Sequence, residues 1–171
     1  LKLSTSHLGF VMRLLRRLAL FALAFTFAAA PRRLEAQLAD AKVMTAEAVK
    51  AVLATAEAKA KAGKWNMSIA IVDAGGELLG FLRLDNASAG TAQIALGKAR
   101  TSARFGRPTK VYADRVLTDT LTFLSVDGLV SLQGGLPIVI NGRVIGAIGV
   151  SGGTSQQDED VAAAAIAVIK P

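Results

Sequence analysis

The sequence predicts an α+β fold, a single domain in which an antiparallel sheet of about five strands carries helices packed on it. Three observations predict it. Apolar runs rich in branched residues come in pairs joined by tight turns, at 67–84 and at 136–150. Alanine-rich segments with apolar residues at helical spacing lie before, between and after those pairs. The strands are joined as hairpins rather than through helices, which makes the pairing antiparallel.

The hairpin at 136–150 is the clearest element. Leu136 to Ile140 and Arg143 to Val150 flank Asn141-Gly142, and Asn-Gly suits a type I′ turn because both central residues need positive φ. Gly146 and Gly149 interrupt the second run, as glycines do at a bulge or where another backbone approaches closely. Ser151-Gly152-Gly153 leads into a helix from Thr154. Thr154 and Gln157 stand at capping-box spacing, and Asp158, Glu159 and Asp160 place negative charge where the helix dipole favours it.

Upstream, Thr45 caps a helix whose stripe is Val49, Val52, Leu53, Ala56 and Ala60, with Gly63 as its C-cap. Met67 to Val72 alternates, Asp73-Ala74-Gly75-Gly76 turns, and Glu77 to Leu84 returns as the second strand. Thr91 to Phe105 is a second helix with Ile94, Ala95, Ala99 and Ser102 or Ala103 inward, ended by Gly106 and Pro108. A short helix carrying Val116 and Leu117 follows, then a loop, and Leu129 to Leu132 reads as a further strand.

The 171 residues carry a formal charge of +7, but six cations and one acid precede residue 37, so +5 of it lies there. The remainder is nearly neutral, which argues against a nucleic-acid partner. The early cations frame a secretory signal. Met12 to Arg17 is a basic n-region and the better start, Leu18 to Ala30 is an apolar h-region, and Leu34-Glu35-Ala36 offers a cleavage site. The expected division is a signal peptide over 1–36 and a domain over 37–171, with periplasmic or secreted localisation and no stable membrane span after cleavage, the h-region being shorter than a spanning helix needs. There is no cysteine, so disulfides and thiolate chemistry are excluded.

Gly149-Val150-Ser151-Gly152-Gly153 fits the G-x-S-x-G nucleophile pattern. The only histidine is His7, inside the expected signal segment, so a Ser-His-Asp triad is excluded from the mature chain. Ser151 reads instead as a helix cap. The loop is neither a P-loop nor a dinucleotide fingerprint. No acid/base constellation stands out, and the chain reads as a binding protein before an enzyme. The candidate ligand site is the second helix and its end. Lys98, Arg100, Arg104 and Arg107 are possible carboxylate partners, Phe105 and Tyr112 apolar walls, and Arg100 and Arg104 share one face.

Three stretches, Ser68 to Asp85, Ile94 to Thr109 and Gly134 to Ala162, resemble the GlcG/HbpS-like small haem-binding domains, also found at the C-terminus of PduO-type proteins. The resemblance covers most of the mature chain. It implies a sheet with helices on it, a homo-oligomer, and haem or a related small molecule as ligand. Members often carry a histidine where this chain has Glu77, so an iron ligand would have to be Tyr112 as phenolate, Met67, Met44 or Thr109. The alternative is an enzyme or accessory protein acting on a small carboxylate metabolite. A third class is a structural partner of another protein.

Overall fold

Asn141 and Gly142 adopt φ of 51° and 75°, the double positive φ of the type I′ turn. They join β3, Gly135–Ile140, to β4, Arg143–Ser151. The computed structural model describes residues 41–118 and 121–170. The proposed signal peptide and its cleavage site lie outside these residues. Among the described residues no helix is long and apolar enough to cross a membrane.

The elements in chain order are α1 (Ala46–Ala62), β1 (Ser68–Asp73), β2 (Leu78–Arg83), α2 (Ala89–Phe105), α3 (Lys110–Leu117), a 3-10 turn (Leu121–Ser125), β3, β4 and α4 (Ser155–Ile166). The sheet is antiparallel, in the order β2-β1-β4-β3. It has four strands, not about five. The residues expected as a further strand, Leu129 to Leu132, are irregular. Val130 donates its N–H to Thr101 Oγ1 at 2.9 Å, and a Cβ on Gly97 would collide with its side chain. This segment is therefore held on α2, where a hydroxyl satisfies its amide in place of a strand neighbour.

Helices cover the two faces of the central strands. Ile69, Ile71, Ile148 and Val150 pack with Val49, Val52, Ala56 and Ala60 of α1 and Val161, Ala162 and Ala165 of α4. Ala70, Val72 and Ala147 pack with Ala95, Ala99 and Ala103 of α2. Residues 68–72 of β1 are all buried, where the sequence predicts alternation, because helices cover both faces of this strand. Small residues bring α2 close. A Cβ on Gly149 would lie 2.5 Å from Ala99 N, so this glycine marks the close approach of a helix backbone.

The caps follow the sequence with one correction. Thr45 accepts from Ala48 N, and the Thr154–Gln157 capping box is complete. Ser151, expected as a cap, is instead the last residue of β4, paired opposite Ser68, and Thr154 is the N-cap. Gly63 is the C-cap of α1 as expected, right-handed at φ −79°, and the left-handed position falls one residue on, at Lys64 with φ 59°. Glycine is needed at 63 because a Cβ there would sit 2.5 Å from the Trp65 ring.

Candidate functional site

The second helix divides its basic residues between the core and the surface. Lys98 lies on the buried stripe with Ala95, Ala99 and Ser102 and is 2 % exposed. Its Nζ donates to Asp158 Oδ2 at 2.6 Å and to the Val150 carbonyl at 2.8 Å. Asp158 Oδ1 accepts the Gly153 N–H at 2.9 Å. One ion pair thus ties α2, the end of β4 and the first turn of α4 together. Gly134 closes the chamber: a Cβ there would lie 2.6 Å from Asp158 Cβ and 3.0 Å from Lys98 Nζ. Burial pushes the Asp158 carboxyl up, opposed by Lys98 and by the backbone N–H groups of Gly153 and Gly152. Burial pushes the Lys98 ammonium down, opposed by Asp158. Asp158 is therefore a buried partner of Lys98 and not simply a surface charge on the helix dipole.

Arg100 and Arg104 share one face of α2, as their spacing requires. Arg100 Nε donates to the Gly76 carbonyl at 3.1 Å and Arg104 Nε to the Gly75 carbonyl at 3.2 Å. They brace the β1–β2 turn, which Asp73 also organises by accepting from Gly75 N and Glu77 N. Arg107 is exposed beyond the helix end, and its carbonyl accepts from Ser102 Oγ at 2.8 Å.

The end of α2, α3 and the 3-10 turn bring aromatic rings together. Phe105 and Tyr112 have centroids 5.5 Å apart, and Tyr112 and Phe123 5.4 Å apart. The Arg115 guanidinium stands 5.5 Å from the Phe123 centroid. Tyr112 is buried, while Phe105, Leu117, Leu121 and Leu124 are exposed. The result is an apolar surface with Lys110 and Arg115 on α3 and Arg107 in the connection before it. Phe105 and Tyr112 come together here, with Arg107 in the connection between their helices, whereas Lys98 is enclosed elsewhere and Arg100 and Arg104 face the turn. Phe123 and Arg115 escaped the sequence reading, although Arg115 stands three residues after Tyr112 on one helix.

Of the candidate iron ligands, Met67 and Thr109 are fully buried. The Thr109 hydroxyl accepts the Gly135 N–H at 2.9 Å. Met44 is half-buried against the core. Tyr112 alone of these lies in the aromatic cluster.

Four antiparallel strands with helices on both faces define a small α+β domain. Residues 44–167 match the family described as "Haem degrading protein HbpS-like". The chain belongs to that HbpS-like family. Protein GlcG of Escherichia coli is 40% identical over 109 residues, 64% of this chain and 81% of that protein. The structure of a double mutant of HbpS from Streptomyces reticuli superposes with a TM-score of 0.73 at 30% identity, over 84% of this chain and 99% of that one. The PduOC–heme complex superposes with a TM-score of 0.69 at 27% identity, over 75% of this chain and 96% of that one.

Proposed function

We propose that this chain is an exported, homo-oligomeric haem-binding protein whose ligand lies against the Phe105–Tyr112–Phe123 surface. The observation that carries the reading is the exposed apolar patch of Phe105, Leu117, Leu121 and Leu124, with Arg115 on α3 and Arg107 in the connection between α2 and α3. A tetrapyrrole needs apolar contact for its faces and cations for its propionates, and guanidinium is suited to both carboxylates and aromatic planes. The family's description and the heme complex of a structural relative support the same ligand class.

The residues fit the periphery of haem better than its iron. Among the described residues there is no histidine. Tyr112 is the candidate that adjoins the patch, and a phenolate is an established type of haem ligand. When bound, haem would supply iron-centred redox and ligand chemistry, while this chain's residues would hold the macrocycle and its propionates.

Export is supported by the ordered basic, apolar and small-residue segments before residue 37. Self-association is supported by β2, an edge strand exposing Leu78, Leu79 and Phe81. The deciding experiment is a haem titration of the mature chain followed at the Soret band. A saturable shifted band is expected, with Tyr112→Phe altering the iron spectrum and Arg107→Gln/Arg115→Gln weakening affinity roughly tenfold or more if they bond the propionates. A band indistinguishable from free haem in the wild type would overturn the reading.

A further inference from the structure

We infer that the cleft between the C-terminal end of α1 and the end of β2 is a second ligand site, for a planar aromatic carboxylate. It is a cavity of about 350 Å³ lined by Lys61, Lys64, Trp65, Arg83, Asp85 and Asn86, with Glu57 at its rim. That volume is within the range of small-molecule sites. It lies on elements other than those of the aromatic cluster, so it stands or falls independently of the haem reading.

The charge arrangement selects an anion. Glu57 bonds Lys61 at 2.6 Å. Hydrogen bonding and charge from Glu57, and more weakly the charge of Asp85, hold the Lys61 ammonium above the usual lysine range. Both acids of the cleft therefore act on Lys61. Lys64 and Arg83 form no ion pair among the described residues. A carboxylate entering the cleft meets a guanidinium able to bind it through two N–H groups and an ammonium beside it.

The half-buried indole of Trp65 selects a flat ring. A glycine makes room for the ring: Gly63, the right-handed C-cap of α1, could carry no Cβ without meeting the indole at 2.5 Å. The left-handed position passes to Lys64, closed by Lys64 N–H to the Lys61 carbonyl at 3.0 Å and Trp65 N–H to the Ala60 carbonyl at 3.0 Å. Asn86, across the cleft, is left-handed as well at φ 65°. Of the three non-glycine residues with positive φ among the described residues, two line this one cavity and the third makes the β3–β4 turn. A lysine held where glycine is preferred is strain of the kind found at ligand sites.

Trp65 is the sole tryptophan of the sequence, so its fluorescence reports on this cleft alone. Titration of the mature chain with benzoate should give a saturable change in Trp65 emission. Cyclohexanecarboxylate, charged but not flat, and benzyl alcohol, flat but uncharged, should bind at least roughly tenfold more weakly, the loss of one charge-assisted bond or of the ring contact. Arg83→Gln should weaken benzoate by a similar factor with the circular dichroism spectrum unchanged. Lys64→Gly should weaken benzoate while raising the melting temperature, because it removes a ligand group and relieves strain together. A linear, unsaturable response, equal binding of benzyl alcohol, or full affinity in both variants would overturn the assignment. Haem binding should be unaffected by saturating benzoate, so failure of one site leaves the other readable.

Discussion

Lys98 shows how burial changes the meaning of a charge. An exposed lysine could clamp a carboxylate ligand, but this one is enclosed with Asp158, and its contacts are with the protein. Taking both ions out of water is costly, and the pair is retained because each charge and each hydrogen bond answers another. The folded Asp158 carboxyl is raised, so its contribution to stability is present below the ordinary carboxylate range and is lost as pH rises through the folded value. The folded Lys98 ammonium is lowered, so its contribution is present above the ordinary lysine range and is lost as pH falls through the folded value. Neutral pH is thus where the pair depends most on its own contact. Lys98→Met should cost about 3–5 kcal/mol there, since it strands a buried carboxylate. The loss should shrink in mild acid as Asp158 takes up a proton. Lys98→Met with Asp158→Asn should recover much of it. Urea denaturation at the two pH values checks both statements, and equal losses in the single and double variants would show that the pair is not coupled.

At Lys64 the prediction runs the other way. A left-handed conformation costs a non-glycine residue on the order of 1–2 kcal/mol. Lys64→Gly should return about that much, less the entropy that a glycine adds to the unfolded chain. Thermal melting of the ligand-free protein measures it.

Among the elements, α4 is the one whose start is most fully specified. Thr154 accepts from Gln157 N, Gln157 Oε1 accepts from Thr154 N at 2.9 Å, and Asp158 reaches back to Gly153. Thr154→Ala should cost about 1 kcal/mol, the usual value of an N-cap. The helix should persist, because Val161, Ala162 and Ala165 still bury their side chains. Chemical denaturation with an unchanged far-ultraviolet spectrum is the expected result. Gly149→Ala is a harsher change. Its Cβ would collide with the α2 backbone at Ala95 and Ala99, and backbone does not step aside as a flexible side chain does. Loss of cooperative folding, or a fall of several kcal/mol, is expected. A melting curve like that of the wild type would mean that α2 can shift without cost.

For the whole molecule, exposed large apolar residues among the described residues include Leu78, Leu79 and Phe81 on the edge strand β2, and Leu117, Leu121 and Leu124 on α3 and the 3-10 turn. An exposed edge with Leu78, Leu79 and Phe81 favours association with another chain. The mature protein should therefore run as a dimer or larger in light scattering at micromolar concentration. Phe81→Lys, which places a charge on the edge, should shift it toward the monomer. A monomer mass for the wild type would remove the assembly claim.

The chain by itself determined what depends on neighbours a few residues away. The Asn141-Gly142 turn, the Thr45 cap and the Thr154–Gln157 box were legible because φ preferences and capping bonds are local. The stripe Val49, Val52, Ala56 and Ala60 was legible because a helix turns with a fixed period. The fate of the candidate site side chains was not local. Lys98 meets Asp158 across 60 positions, and Arg100 meets Gly76 across 24. Leu129 to Leu132 had the composition of a strand, but the amide of Val130 was taken by Thr101, 29 residues away. The stripe of Ala95, Ala99 and Ser102 held a hint that Lys98 faces inward, yet no spacing names the acid that makes such burial possible. Only the tertiary structure decides that, because a charge leaves water only where packing has already brought its partner within bonding distance.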